Sequence, residues 1–141
     1  MIELTTTLLM LASAFTPTTA QIVAEAKGNT DRPLTSVSVE AYVRDYFEKD
    51  PILAEIARCE STFRQFDSRG NVIKGKVNKG DIGIMQINKY YHEEDAIKLG
   101  FDIYTFDGNL GYAKWLYEKS GDSPWNSSSK CWQKYRELAV K

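Results

Sequence analysis

A mainly α-helical fold with one small β element is predicted by three observations. Apolar residues recur at helical spacing in several stretches, a glycine-punctuated segment interrupts them near the middle, and the length suits one domain. The 141 residues are 43% hydrophobic and 26% charged, enough apolar material for a core in a single domain and too ordinary a balance for wholesale disorder.

The chain opens with a short apolar run, Leu8 to Phe15, followed by Thr16, Pro17 and small residues up to Ala20. An apolar core, a breaker and a small-residue cleavage point form the pattern of a secretory signal over 1–20. Glu3 stands where a positive charge is usual, and a buried terminal helix is the alternative. The run is too short to span a bilayer. Residues 21–36 hold Lys27, Gly28, Asn29, Asp31 and Pro33 with few large apolar groups, as in a linker or arm. The domain is therefore expected at 37–141.

Val39, Tyr42, Val43, Tyr46 and Phe47 follow the i, i+3, i+4, i+7, i+8 pattern of an amphipathic helix. Asp50 followed by Pro51 reads as a cap and first helical residue, opening a helix with Ile52, Leu53, Ile56 and Phe63 inward. From Asp67 to Asp81, Gly70, Gly75 and Gly80 break the chain into short pieces, as in an irregular hairpin lobe. A compact apolar run, Ile82 to Asn88, follows. His92 to Leu99 reads as a short helix closed by Gly100, with His92 on its surface. A longer helix capped by Asp107 reaches Ser120, and a last one runs from about Ser129 to Val140 with Trp132, Tyr135 and Leu138 inward.

Eighteen basic against 19 acidic side chains give a formal charge of −1, which argues against a nucleic-acid partner. Losing 1–20 removes one acid, Glu3, and leaves 18 of each sign, so no net field steers a charged ligand. Two cysteines and one histidine do not suffice for a closed zinc site of those ligands, and no metal or cofactor is expected. In an exported chain Cys59 and Cys131 are expected to pair; the alternative is a Cys59 nucleophile working with His92.

Glu60 breaks the local pattern. Ile52, Ile56 and Glu60 lie at i, i+4 and i+8, which puts a carboxylate on the apolar face of its helix. Burial there disfavours the charged form and raises the pKa, as a general acid requires; a glutamate turned out to solvent is the alternative. Downstream lie Gly83, Ile84, Met85 and Gln86, and then Gly108, Asn109, Leu110, Gly111 and Tyr112. With Cys59-Glu60-Ser61-Thr62-Phe63, this ordered set resembles the lysozyme-like soluble lytic transglycosylase family over about residues 38–135.

That resemblance implies an α+β lysozyme-like fold, with a helical lobe and a small β-hairpin lobe enclosing a substrate cleft. It implies cleavage of the β-1,4 bond between N-acetylmuramic acid and N-acetylglucosamine in peptidoglycan. Glu60 matches the catalytic acid/base and Ser61 its hydrogen-bonding neighbour. Gly83, Met85 and Gln86 match the cleft-lining segment, and Asn109 the polar residue opening the next helix. Protonation of the glycosidic oxygen needs one neutral carboxyl. The resulting carboxylate can then activate the muramoyl 6-hydroxyl and release a 1,6-anhydro product, with the substrate's acetamido group replacing a protein nucleophile. An inverting lysozyme instead needs a second carboxylate about 6.5–9.5 Å away, for which Asp81 and Asp67 are the candidates. A third possibility is a non-catalytic glycan-binding module. The last third departs from the family: Ser123-Pro124-Trp125-Asn126 replaces its usual tyrosine-bearing stretch, so Trp125 and Asn126 are candidate sugar contacts, with core packing and helix capping as the alternative. Tyr90, Tyr91 and Tyr104 are looser candidates. The expected setting is secreted, periplasmic or cell-envelope. The expected partner is peptidoglycan glycan strands, met by a monomer without stable membrane insertion.

Overall fold

A computed structural model describes residues 36–140, with side chains over 38–136. The signal-like segment 1–20, residues 21–35 of the arm and the inward position expected at Leu138 lie outside these limits. The described residues are mostly helical, with one two-stranded antiparallel sheet among them, as the apolar spacing predicts.

Helix α1 (Ser36–Tyr46) presents Val43 to the core, and Phe47, just past its end, continues the same stripe and is equally buried. Helix α2 (Ile52–Ser61) buries Ile52, Leu53, Ile56 and Ala57. It begins after Pro51, and no side chain caps it; the Asp50 carbonyl accepts from the Leu53 amide instead. The expected Asp50 cap is thus a backbone turn. α2 ends abruptly because Thr62 and Phe63 both adopt left-handed φ, 56° and 57°. That conformation is costly for a β-branched residue. It returns the Thr62 amide to the Arg58 carbonyl and the Phe63 amide to Ala57, closing the helix end.

The expected hairpin lobe is smaller than its glycines suggest. Asp67 accepts from the Arg69 and Asn71 amides, making a turn under one isolated bridge, Phe66 to Val72. A second bridge joins Lys74 to Ile82. The strands proper are β1 (Asp81–Ile82) and β2 (Ile87–Asn88), paired Asp81 to Asn88 and Ile82 to Ile87. The apolar run after Asp81 is therefore a strand, a turn and a strand.

Asn88 then caps helix α3 (Lys89–Lys98) through the Tyr90 amide. Helix α4 (Phe106–Ser120) is capped by Thr105, whose hydroxyl accepts from the Gly108 amide. The expected cap, Asp107, lies in the first turn instead, where its charge suits the helix dipole, and accepts from the Tyr42 hydroxyl. After Gly121 come a 3-10 segment (Ser123–Ser128), the short helix α5 (Ser129–Trp132) and a second 3-10 segment (Gln133–Val140). The single last helix expected over about Ser129 to Val140 is thus broken into two pieces, α5 and the second 3-10 segment, with the first 3-10 segment preceding them. Val43, Phe47, Leu53, Ile56, Ile82, Ile84, Met85, Leu110, Tyr112 and Trp132 form one core. No helix among the described residues is long and apolar enough to cross a membrane.

Candidate functional site

Glu60 occupies the last turn of α2 and lines a pocket of about 590 Å³. The small β segment contributes Val77, Asn78, Asp81, Gln86, Ile87 and Asn88 to its walls. Tyr91 and His92 of α3, Leu116 of α4, and Pro124, Trp125 and Ser127 complete it.

The carboxyl is held from behind. Ser128 Oγ donates to Glu60 Oε1 at 2.6 Å, and Trp132 Nε1 donates to Ser128 Oγ at 2.9 Å. Trp125, 3% exposed, donates from Nε1 to the Met85 carbonyl at 2.9 Å. A line of hydrogen bonds and one tryptophan thus joins the glutamate to the β-turn facing it. The disulfide Cys59–Cys131, with its Cα atoms 6.0 Å apart, fastens the end of α2 to α5 beside this line. Both cysteines are consumed by that bond, which overturns the alternative of a Cys59 nucleophile.

Burial pushes the Glu60 carboxyl above its ordinary range. The Ser128 hydrogen bond opposes that rise, and the negative charge of Asp81 adds to it. The group is consequently biased toward the neutral acid. Asp81 itself accepts from Asn88 Nδ2 at 2.7 Å. The other second-carboxylate candidate, Asp67, is engaged in its turn and is not among the pocket residues.

The turn bearing Gln86 is fixed by two buried amides. Asn109, fully buried, accepts from the Met85 amide and donates to the Ile82 and Ile103 carbonyls. Gln65 accepts from the Ile84 amide at 2.7 Å and donates to the Tyr104 carbonyl at 3.1 Å. Gly83, at φ 72°, packs between them, where a β-carbon would collide with both amides. Gln86 closes the turn at φ 51° and donates from Nε2 to the Gly83 carbonyl at 2.7 Å. A non-glycine residue in this conformation is strained, and such strain is often kept where a side chain must be aimed.

The expected site residues therefore divide by position. Glu60, Gln86 and Trp125 meet at the pocket. Gly83, Met85 and Asn109 stand behind its wall and hold the turn. Ser61 is buried, donating to the Ala57 carbonyl and accepting from the Arg64 amide, so it secures the end of α2. Asn126 is exposed and not among the lining residues. Tyr91 reaches the pocket; Tyr90 does not, and Tyr104 donates to Glu93 elsewhere, a bond that pushes its hydroxyl up to about 12.

Three participants escape a reading of the sequence. His92 is not a plain surface residue: it is half-buried, lines the pocket and lies 3.2 Å through Nδ1 from the Tyr112 hydroxyl. Burial pushes its pKa down against the pull of Asp95, favouring a neutral imidazole. Ser128 and Gln65 are the others. Ser128 stands 68 positions from Glu60, and Gln65 about 40 from the carbonyls it binds, so no local pattern announces them. Among the described residues no cluster of His, Cys, Asp and Glu is arranged to hold a metal ion. No family model, no curated protein and no solved structure matches this chain.

Proposed function

We propose that this protein is a peptidoglycan-cleaving lytic transglycosylase of lysozyme-like fold, with Glu60 as general acid and then base. The observation that carries the reading is one half-buried carboxyl, biased toward its neutral form, on the wall of a pocket large enough for sugar rings. Such a group can protonate the oxygen between N-acetylmuramic acid and N-acetylglucosamine. Once ionised it can take the proton of the muramoyl 6-hydroxyl, which then closes on the anomeric carbon. Tyr91, which is exposed, and Gln86 supply an aromatic ring and a polar end of the kind that sugar faces and their substituents require, while Trp125 is buried as core packing. An exported or cell-envelope setting fits the disulfide.

Hydrolysis of the same bond is favoured by one further observation, the carboxylate of Asp81 on the same pocket. A second carboxylate on the same pocket is the group that an inverting mechanism uses to activate water. Digestion of purified sacculi, with mass spectrometry of the fragments, separates the readings. Anhydro-muropeptides mark transglycosylation and reducing ends mark hydrolysis. Glu60→Gln is expected to lower release at least about 100-fold, the scale of general acid catalysis, with an unchanged circular dichroism spectrum. Release equal to wild type overturns the assignment of Glu60, and no release by wild type favours a glycan-binding module.

A further inference from the structure

Ser128 has one hydroxyl hydrogen and two acceptors in reach. Glu60 Oε1 lies at 2.6 Å and the Trp125 carbonyl at 3.1 Å. Its oxygen meanwhile accepts from Trp132 Nε1 at 2.9 Å. Trp132 is buried, with 1% of its surface exposed, and an indole nitrogen only donates. The Trp132 bond therefore occupies one lone pair of Ser128 and turns the hydroxyl hydrogen away from the indole, toward Glu60. Oε1, at the shorter distance, is thereby held as an acceptor. Among the described residues no group hydrogen-bonds Oε2, and no buried side-chain oxygen there is left unsatisfied, so Oε2 is open to solvent and has no protein partner.

We propose that Ser128, oriented by Trp132, is a positioning residue that reserves Glu60 Oε1 as an acceptor and makes Oε2 the oxygen that carries and delivers the acid proton. The proposal rests on the reading of Glu60 as the acid and deepens it. The proton leaves Oε2 for the glycosidic oxygen as the bond to the anomeric carbon breaks. Ser128 neither gains nor loses a proton in that step; its hydrogen bond to Oε1 strengthens as the carboxylate forms. The same group therefore limits how far burial raises the acid's pKa, an influence in the direction found for Glu60.

The other titratable groups on the pocket are Asp81, Tyr91 and His92. Behind Ser128, Lys130 is exposed, Arg136 pairs with Asp122 and Arg58 with Glu55. Asp81 is the one charged group among these that acts on Glu60.

The test is a titration of the Glu60 carboxyl by carbon NMR in wild type, Ser128→Ala, Ser128→Thr and Ser128→Cys, beside pH profiles of muropeptide release. Ser128→Ala is expected to move the Glu60 midpoint up by about 0.5–1 pH unit, the scale of one hydrogen bond. The alkaline limb of the profile should move with it, and kcat should fall more than KM rises. Ser128→Thr should keep the wild-type midpoint, and Ser128→Cys, a close match in shape with a weak donor, should fall between. An unchanged midpoint in both Ser128→Ala and Ser128→Cys, with wild type active, overturns the proposal and leaves the reaction standing. A midpoint moved in the Ser128 variants, with a wild type that releases nothing from sacculi, overturns the reaction while the Ser128–Glu60 coupling stands.

Discussion

Three influences of different sign meet on the Glu60 carboxyl: burial and the charge of Asp81 push its pKa up, and the Ser128 hydroxyl draws it down. Burial is the largest, so the folded carboxyl ionises at higher pH than a free glutamate. In the proposed role of general acid, which works only while protonated, Glu60 should set the alkaline limb of the activity profile at this raised pKa. Asp81→Asn removes the repelling charge and keeps an oxygen for the Asn88 bond. Glu60 then ionises more readily, and the alkaline limb should move to lower pH, measurable as muropeptide release against pH. Loss of release at every pH would instead assign Asp81 a part in the reaction, as hydrolysis requires. The position of Glu60 was legible from three residues four apart, because helical periodicity is local. Its partner Ser128 and the pocket residue His92 were not, because only the fold brings them there.

The turn between β1 and β2 shows how an element is aimed by residues outside it. Its two short strands could not hold Gln86 unaided; Gln65 and Asn109 satisfy the backbone groups of Ile82, Ile84 and Met85 from either side. Sequence could mark Gly83 and Gln86 as notable, but the burial of Gln65 depends on carbonyls near residue 104, beyond any local window. The same limit explains the helix caps. Thr105 and Asp107 are both chemically competent, and the choice of Thr105 follows from where the chain enters α4. Gly83→Ala should lower stability by about 2–4 kcal/mol, combining left-handed strain with collision against two buried amides. Gly70, at φ 80° with open space around its missing β-carbon, is the control. Gly70→Ala bears the backbone strain alone and should cost about 1–2 kcal/mol. Urea denaturation of both variants separates the two contributions, and equal midpoints would show that the amides yield.

At the scale of the whole molecule, the helical spacing predicted the class of fold, while the broken C-terminal segment departs from the single helix it suggested. The reason lies in what that segment must reach. Trp125 and Trp132 are both buried, seven positions apart, and Ser128 between them must meet Glu60. Short turns accommodate these demands where one straight helix would not. Segments so short have little intrinsic helical stability, so their attachment rests on the two tryptophans and on the Cys59–Cys131 bridge, which closes a loop of 72 positions. On the chain-entropy model a loop of that size contributes about 4 kcal/mol. A Cys59→Ala, Cys131→Ala double variant should therefore unfold at a clearly lower urea concentration than wild type. Its consequence for the site should appear before global unfolding, because the bridge lies one residue before Glu60 and three after Ser128. Loosening α5 lengthens the Ser128 bond, lets the Glu60 midpoint rise, and lowers release of muropeptides at temperatures where circular dichroism is still that of a folded chain. If release and the Glu60 midpoint instead keep their wild-type values up to the unfolding transition, the bridge stabilises the fold without positioning the acid.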